Sequence, residues 1–433
     1  MKYQTIASRF LLAASAALMF SANATLAAAQ TEGILHSFSG GTVDGSVPYS
    51  GLIADSAGNL YGTTDSAGPN GYGTVFQLVP PSGGGTWTEN ILFSFSNGAD
   101  GATPVTNLVM DSAGNIYGAT GNAGANNCGT FFQLVPPTGS GAWTENVLYD
   151  FPCAFGGAIS GPVSIARDPS TGIIYGSVQN GGPFNGGWIY KMVPPTSGGA
   201  WTNTVLHNFT TNPSAPGYAN GCVPWTLILG PNGRLFGTAS YCGVGGGTVY
   251  RLTPPTGGDT SWGFSLLYTF GSSVTSSNGY NPFGLVFGKG GVLYGTTAVG
   301  GSSRYGTVYS LTPNGTGTPW TETIVHNFTG SPDGNYPLSG VILGPAGSFY
   351  GATAGGGLSN TTCGAYPGCG TIFQLTPGSG GIWTETILHN FAPTGGDAIN
   401  PNPGALLQRG GVLYGVSYTG GASNNGAVYA IHP

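Results

Sequence analysis

One stretch recurs along the whole chain: Leu52-Ile53-Ala54-Asp55-Ser56-Ala57-Gly58-Asn59-Leu60-Tyr61-Gly62-Thr63-Thr64, followed by Gly73-Thr74-Val75-Phe76-Gln77-Leu78-Val79. Its aromatic residue followed by glycine occurs in seven copies, at Tyr61, Tyr117, Tyr175, Phe236, Tyr294, Tyr350 and Tyr414. The copies lie 56 to 64 residues apart. A repeat of this length indicates that one structural unit is stacked or arranged in a ring.

Each repeat unit contains the pattern of four short strands. Strand A is the apolar run 51–54, and a tight turn at 55–59 leads to strand B at 60–64. A Gly-rich loop then leads to strand C at 74–79, where apolar and polar residues alternate, and strand D follows at 87–95. Four antiparallel strands per unit and seven units predict an all-β fold, a seven-bladed β-propeller.

The two ends of the chain bear on how the ring closes. The seventh unit lacks strand D, and residues 31–38 align with strand D of the first unit, 88–95. We therefore expect the N-terminal strand to complete the last blade, which leaves no free sheet edge. The alternative is an open solenoid with a frayed first strand, which would need terminal capping units. The predicted repeat units cover about 33–89, 90–145, 146–203, 204–264, 265–322, 323–385 and 386–433.

Composition supports a folded β protein and excludes some partners. The 433 residues include 81 Gly and 31 Pro, but 12% are aromatic, so the chain can build a core. Only 6% are charged, and Asp and Glu outnumber Lys and Arg by 15 to 9. Nucleic acid is not expected as a partner, because no basic patch is available to hold phosphate.

The first 29 residues have the pattern of a secretory signal peptide. Lys2 and Arg9 precede a short apolar run at 11–20, and small residues end at Ala29. We predict cleavage before Gln30, with cleavage before Thr25 as the alternative, and a propeller that spans 30–433. No other segment has the roughly 20 apolar residues of a membrane-spanning helix. We expect an exported monomer that is extracellular, on the cell surface or in the periplasm.

All six cysteines fall in the loops between strands B and C or between strands D and A. Blade adjacency predicts three local disulfides, which join Cys128 to Cys153, Cys222 to Cys242 and Cys363 to Cys369. An exported chain permits such bonds. A metal site is the alternative, but no histidine accompanies the cysteines on that face.

Residue types that recur at one repeat position favour architecture over catalysis. Four histidines share one slot in strand D with Phe93, Tyr149 and Tyr268, which predicts packing: His36, His207, His326 and His389. Five glutamates share another strand D position, which predicts hydrogen bonding at blade edges: Glu32, Glu89, Glu145, Glu322 and Glu385. Six tryptophans open strand D and are expected to pack between blades: Trp87, Trp143, Trp201, Trp262, Trp320 and Trp383.

A polar residue precedes a proline by four positions in six of the seven units. The six residues are Asp44, Asp100, Asn220, Asn278, Asp333 and Asp397, whereas the third unit has Ala158. They come just before inner strands, so we expect them to ring the mouth of the central channel. Two interpretations stay open: they bind a cation such as Ca²⁺ or sugar hydroxyls, or each caps its own turn. No other cofactor is expected.

The repeated motif resembles that of the GloVer, or Gloeo/Verruco, tandem-repeat bacterial proteins, whose members carry a choice of C-terminal anchor. The resemblance rests on residues 52–64 and 73–78 with their six echoes, and it covers essentially the whole mature chain. It implies an exported or surface-displayed protein with a propeller-like fold. Nothing after Tyr429 resembles a sorting signal or membrane tail, in contrast to anchored members.

These observations favour a non-catalytic binding or scaffold protein. Its long-loop face would contact a glycan or a protein, because loops on a rigid scaffold carry function. Four aromatic residues there are candidates to stack on sugar rings: Tyr72, Trp225, Tyr280 and Tyr305. The alternatives are a glycan-active hydrolase or lyase, which would need a pair of carboxylates, and a purely structural envelope component. Propellers host many functions, so the fold alone does not decide among them.

Overall fold

The computed structural model describes residues 32–153, 162–196, 199–243, 245–257, 259–315, 317–358, 362–364, 366–394, 396–401 and 404–433. These residues form 35 β-strands and no α-helix. They also form five single-turn 3-10 helices, Tyr218–Asn220, Pro231–Gly233, Lys289–Gly291, Pro345–Gly347 and Ser379–Gly381. The predicted signal peptide, 1–29, and Ala158 lie outside the described residues. None of the helices in the described part of the chain has the length and apolar character needed to span a membrane.

The strands are numbered in chain order, beginning with β1 (Glu32–Ser37). Blade one contains β2 (Gly45–Pro48), β3 (Ile53–Ala54), β4 (Leu60–Ala67), β5 (Thr74–Val79) and β6 (Thr88–Ser94). Blade two contains β7 (Ala102–Pro104), β8 (Val109–Met110), β9 (Ile116–Asn122), β10 (Thr130–Val135) and β11 (Thr144–Asp150). Blade three contains β12 (Pro162–Arg167), β13 (Ile174–Val178), β14 (Asn185–Val193) and β15 (Thr202–Thr210). Blade four contains β16 (Cys222–Leu229), β17 (Leu235–Tyr241), β18 (Thr248–Thr253) and β19 (Gly263–Thr269).

The remaining strands build three further blades. Blade five contains β20 (Tyr280–Phe287), β21 (Leu293–Val299), β22 (Thr307–Thr312) and β23 (Thr321–Asn327). Blade six contains β24 (Gly334–Asn335), β25 (Val341–Leu343), β26 (Phe349–Thr353), β27 (Gly355–Gly356), β28 (Thr362–Cys363), β29 (Tyr366–Pro367), β30 (Thr371–Pro377) and β31 (Trp383–Asn390). Blade seven contains β32 (Ala398–Pro401), β33 (Leu407–Arg409), β34 (Val412–Gly420) and β35 (Ala427–Ile431).

The predicted seven-bladed propeller is confirmed. Each blade is an antiparallel sheet in which neighbours along the chain pair, as in the order β16-β17-β18-β19. The seventh sheet is completed by β1, which pairs antiparallel with β35 so that Glu32 lies opposite Ile431 and Ser37 opposite Ala427. The N-terminal strand therefore closes the ring, and the open-solenoid alternative is wrong.

The innermost strand of a blade begins earlier than the sequence predicted. In blade one it consists of β2 and β3, and both pair with β4. The two parts are separated because Pro48 has no N–H to donate to the ladder and because Val47 before it has a positive φ of 59°. In blade four the strand is continuous, but its register shifts between Pro224 and Leu227.

The core lies between the blades. Among the described residues, seven hydrophobic clusters form, and each joins two neighbouring blades. Within each blade the glycine of strand B makes room for an aromatic ring of strand C: a Cβ on Gly62 would come within 2.6 Å of the Phe76 ring. The ring occupying this place is fully or almost fully buried in all seven blades: Phe76, Phe132, Tyr190, Tyr250, Tyr309, Phe373 and Tyr429.

The predicted packing of strand D tryptophans between blades is also observed. The ring centroid of Trp262 in blade four lies 5.9 Å from that of Tyr175 in blade three. Trp87 in blade one similarly lies 6.2 Å from Tyr414 in blade seven. The motif aromatic that marks the repeat is therefore one half of an interblade contact.

A second recurrent pair joins the blades at the start of strand C. Gly306 has a φ of +98°, and a Cβ there would lie 2.7 Å from Cδ of Pro337 in the next blade. The same approach of proline to glycine occurs at five other interfaces, for Gly73 and Pro104, Gly187 and Pro224, Gly247 and Pro282, Gly370 and Pro401, and Gly426 and Pro48. Glycine at this position therefore permits both the left-handed backbone and the close contact.

We predict that Gly306→Ala lowers the free energy of unfolding by about 3 kcal/mol, because the methyl group meets Pro337 and the carbonyl oxygen of Thr297 in a left-handed backbone. Gly71→Ala is the control, since Gly71 has a φ of +87°, closer to the +98° of Gly306 than most open positions, and no heavy atom within 4 Å of the added Cβ. It should cost only the backbone strain of about 1 kcal/mol. Urea denaturation of both variants measures the difference, and equal losses would contradict the interblade explanation.

Candidate functional site

A channel runs along the propeller axis. Its volume is about 450 Å³, and inner-strand residues of all seven blades line it. The lining is dominated by aliphatic side chains such as Ile53, Leu108, Ile165 and Leu227. The throat of the channel is therefore largely apolar.

The channel opens into a larger aromatic cavity of about 590 Å³, here called the aromatic mouth. The two spaces share Tyr49, Trp225 and Leu338. The aromatic mouth lies on the face of the long loops, because it includes residues from the ends of B strands and from loop 363–369. Its aromatic residues are Tyr49, Trp225, Tyr241, Phe283, Tyr336, Tyr366 and Tyr418.

The fold positions five of these rings in two ways. Tyr49, Trp225 and Phe283 directly follow the inner-strand proline, and the rings of Trp225 and Phe283 contact each other edge to face at 4.9 Å. Tyr241 and Tyr418 lie on strands β17 and β34 and are 46% and 40% exposed. They are the most accessible rings of the aromatic mouth.

Two disulfides hold parts of the aromatic mouth in place. All six cysteines are in the described part of the chain and form the three predicted pairs, with Cα–Cα distances of 5.5, 5.2 and 4.9 Å. Cys242, next to Tyr241, is bonded to Cys222. Cys363 and Cys369 enclose the short hairpin that carries Tyr366, whose ring lies 5.0 Å from that of Tyr336.

Electrostatically the aromatic mouth is close to neutral. None of its described lining residues is an Asp, Glu, His, Lys or Arg. Burial, together with Asp65 and the neighbouring tyrosines, raises the pKa of Tyr49 to about 12. Burial and the tyrosines Tyr336 and Tyr418 also raise the pKa of Tyr366. The site therefore presents aromatic faces and uncharged hydroxyl groups.

The six polar residues predicted to ring the channel lie between strand D of one blade and the first inner strand of the next. All six residues, Asp44, Asp100, Asn220, Asn278, Asp333 and Asp397, are described, and none lines the channel or the aromatic mouth. Five of them accept a backbone N–H in the turn after strand D; Asp100, for example, accepts from Ser96 at 2.7 Å. Asn220 instead accepts the Thr248 hydroxyl through its backbone carbonyl at 2.8 Å. Turn capping, one of the two interpretations, is therefore observed for five of the six residues, and binding of a cation or a sugar by them stays a prediction.

Three of the aspartates take part in a different arrangement. Within the residues that the structure describes, three clusters each combine one His, one Asp and one Glu. They are His36 with Asp44 and Glu89, His326 with Asp333 and Glu385, and His389 with Asp397 and Glu32. In each, the His lies on the outer strand of one blade and the Asp lies in the loop that follows this strand. The Glu comes from the outer strand of the next blade.

The clusters are compact and largely shielded from solvent. The shortest contact is 3.0 Å, between Nε2 of His36 and Oδ2 of Asp44. Over all three clusters, Nε2 lies between 3.0 and 3.8 Å from the facing carboxylate oxygens. The histidine side chains are 18 to 19% exposed and the carboxylates 6 to 15%.

The groups of a cluster shift one another's ionisation. Burial raises the pKa of Glu32, Glu89 and Glu385 to about 7. Burial alone would lower the pKa of His389, but the carboxylates of Asp397 and Glu32 raise it to about 9. A protonated imidazole therefore neutralises the aspartate, and the buried glutamate retains its proton more readily than usual.

Sequence reasoning assigned these histidines to packing and missed the clusters. The predicted packing is observed as well, since the ring centroid of His36 lies 4.7 Å from that of Phe38. The missed signal is a joint occurrence: in three units the histidine is followed by an aspartate seven or eight residues later and faces a glutamate of the neighbouring blade. Of the four aromatic candidates, only Trp225 lines the aromatic mouth, whereas Tyr72 and Tyr305 are 43% and 40% exposed outside it.

The fourth histidine of the slot behaves differently. His207 stacks on Phe264, which stands where other blades carry the glutamate, with ring centroids 4.3 Å apart. Burial lowers the pKa of His207 to about 4.

We predict that His207 destabilises the fold in acid. Between about pH 6.5 and pH 4 the unfolded chain gains a proton that the folded chain does not, so stability falls as pH decreases. The pKa difference corresponds to about 3 kcal/mol at most. His207→Phe carries the residue type that blade one has at this position, Phe93. In this variant the loss of stability that comes from His207 should disappear. Urea denaturation at pH 7 and pH 4.5 compares the two proteins, and an unchanged pH dependence would contradict the prediction.

Comparison with solved structures identifies propellers with little sequence similarity. The extracellular domain of a protein assigned as a hybrid two-component system from Bacteroides thetaiotaomicron has a TM-score of 0.51 at 10% identity. The match covers 90% of this chain and 39% of that protein. A protein assigned as a 6-phosphogluconolactonase from Bacteroides uniformis has a TM-score of 0.49 at 15% identity, with 80% and 86% of the two chains covered. A sialidase from Trypanosoma rangeli has a TM-score of 0.43 at 11% identity, with 93% and 58% covered.

The likeness to the Bacteroides thetaiotaomicron domain shows the fold alone. No curated protein sequence matches the chain. The sequence pattern of the Gloeobacter/Verrucomicrobia repeat, in contrast, matches residues 20–222 and 223–433, nearly the whole length. The chain therefore belongs to the Gloeobacter/Verrucomicrobia repeat family.

Proposed function

We propose that the protein binds a neutral glycan at the aromatic mouth and does not cleave it. The observation that carries this proposal is the concentration of seven aromatic side chains around one uncharged cavity of about 590 Å³. Sugar rings stack on aromatic faces through their C–H groups, and tyrosine and tryptophan add a polar group at the edge of the ring. A concave, mostly apolar site with few polar groups is typical of small-ligand binding.

Two features favour a neutral ligand of moderate size. The described lining has no charged side chain that would pair with a uronic acid or a phosphate. The channel that adjoins it has a volume of about 450 Å³ and is mainly aliphatic. We infer that a short glycan segment lies across the aromatic mouth and that the rest of the glycan does not enter the channel.

The hydrolase alternative receives less support from the same geometry. Glycoside hydrolysis uses two carboxyl groups beside the scissile bond, and neither the aromatic mouth nor the channel has one among its described lining residues. The carboxylates of the three clusters are held by histidines beside outer strands instead.

An exported location fits this role. The three disulfides are typical of oxidising compartments. Propeller loops facing outward from an extracellular or surface-bound chain would meet glycans without a further structural change. The predicted signal peptide would deliver the chain there.

We predict that Trp225→Ala and Tyr366→Ala each weaken glycan affinity by about tenfold or more, because each removes one stacking face from the aromatic mouth. A glycan array of neutral and acidic oligosaccharides first selects a neutral probe, and isothermal titration calorimetry then measures its affinity for each variant. Release of reducing ends is followed in parallel, and none is expected.

Tyr305→Ala is the matched control, since Tyr305 is an exposed aromatic on the same face that lies outside the aromatic mouth. Its affinity should equal that of the unchanged protein. Equal losses in Tyr305→Ala and Trp225→Ala would place binding elsewhere on this face. Failure of every neutral oligosaccharide to bind would favour a protein partner or a structural role, and release of sugar ends would overturn the non-catalytic proposal.

A further inference from the structure

The three His–Asp–Glu clusters offer the donor set of a metal site, at a place separate from the aromatic mouth. Each gathers one imidazole nitrogen and two carboxylate oxygens, and the ligand atoms of a cluster all lie within 4.8 Å of one another. Donors bound to one tetrahedral Zn²⁺ at 2.0 to 2.2 Å are about 3.3 to 3.6 Å apart. The observed nitrogen-to-oxygen distances, 3.0 to 3.8 Å, bracket that spacing.

Each cluster keeps at least one buried ligand atom without a hydrogen bond. In the cluster between blades seven and one, Nε2 of His36 is hydrogen-bonded to Oδ2 of Asp44 at 3.0 Å, and Oε1 of Glu89 is the unsatisfied atom. In the cluster between blades five and six, Nε2 of His326 and Oε1 of Glu385 are both buried, lie 3.6 Å apart and make no hydrogen bond. In the cluster between blades six and seven, Nε2 of His389, Oε1 of Glu32 and Oδ1 of Asp397 are also buried without a hydrogen bond. Buried polar atoms normally have a partner, and a cation between the three side chains would supply one.

We propose that these three interfaces each bind a divalent transition-metal cation, with Zn²⁺ as the representative ion. One imidazole and two carboxylates suit Zn²⁺ and its neighbours in the first transition row, and a water would complete four-coordination. The set does not suit Ca²⁺, which prefers six to eight oxygen ligands. The partial exposure of the histidines gives an ion a path from solvent.

The positions of the clusters give the ion a structural consequence. The closing strand β1 carries Glu32 of one cluster and His36 of the next. In the same way, β31 carries Glu385 and His389. Three consecutive interfaces are therefore linked from blade five to blade one, and bound ions would fasten the N-terminal strand on both sides. A ligand that binds only the folded state stabilises it.

The repeat itself supplies matched variants for the test. Blade one carries Phe93 in the histidine slot, and its interface retains two nearby carboxylates, since Asp100 contributes to the raised pKa of Glu145. His326→Phe therefore removes one imidazole and inserts a residue that the slot accepts elsewhere. Phe93→His adds an imidazole where two carboxylates already lie. His207→Phe is the control, because His207 faces Phe264 and no carboxylate cluster.

The experiment measures Zn²⁺ bound per chain by isothermal titration calorimetry and by elemental analysis after dialysis, with the tag-free mature protein stripped by chelator. We expect three ions in the unchanged protein and in His207→Phe, two in His326→Phe, and four in Phe93→His. Zn²⁺ should also slow hydrogen exchange in β1 of the unchanged protein. Circular dichroism confirms that each variant is folded.

The absence of Zn²⁺ binding to the folded, unchanged protein would overturn the proposal. Three bound ions per chain in both His326→Phe and Phe93→His would also overturn it. A count that falls equally in His207→Phe and His326→Phe would mean that the ions bind elsewhere, which also overturns it. None of these results bears on glycan affinity, which depends on the aromatic mouth, so the two proposals succeed or fail separately.

Discussion

The ring depends on one contact that recurs at six of its interblade interfaces, in which the proline of an inner strand packs against the glycine that begins strand C of the preceding blade. The residue before that proline is held at positive φ, between 54° and 59°, at Val47, Thr103, Val223, Asn281, Tyr336 and Asn400. Its N–H reaches back across the interface; that of Asn281, for instance, donates to the Gly246 carbonyl at 2.7 Å. A left-handed conformation is unfavourable for valine or threonine, so its recurrence shows that the interface determines the local backbone.

The same contact shapes the aromatic mouth. Because the chain bends at the proline, the residue that follows it lies at the upper end of the channel in several blades, as Tyr49, Trp225 and Phe283 do. These positions need no particular side chain for closure, since the glycine and proline already supply the contact. The sequence is therefore free to place aromatic residues there, where the closed ring would lower the conformational entropy cost of binding a ligand.

The fold was predictable from sequence because every blade repeats the same physical solution. The glycine of strand B that makes room for the strand C ring and the tryptophan that packs across the interface both recur along the sequence. The closing strand β1 has the sequence pattern of strand D. The aromatic mouth was not predictable in full, because its residues come from different repeat positions: Tyr336 precedes a proline, Tyr241 ends a B strand and Tyr366 sits on a disulfide-bonded hairpin. For the six polar residues before the prolines the sequence left two interpretations open, since repeat position does not reveal whether a side chain turns inward or caps its own turn.

A comparison of single repeat units overlooks the three clusters, because it treats the histidine position as one average position. A slot filled by His, Phe and Tyr indicates packing on average, and the ring stacking of His207 on Phe264 is that case. The other three histidines differ because their neighbours differ: each has an aspartate after it and a glutamate on the adjoining blade. An interface in a closed ring is built from two units, so its chemistry depends on residues that the alignment of single units never places side by side. Chemistry restricted to some blades should therefore be sought in pairs of adjacent repeats, where one substitution changes an interface without changing the fold.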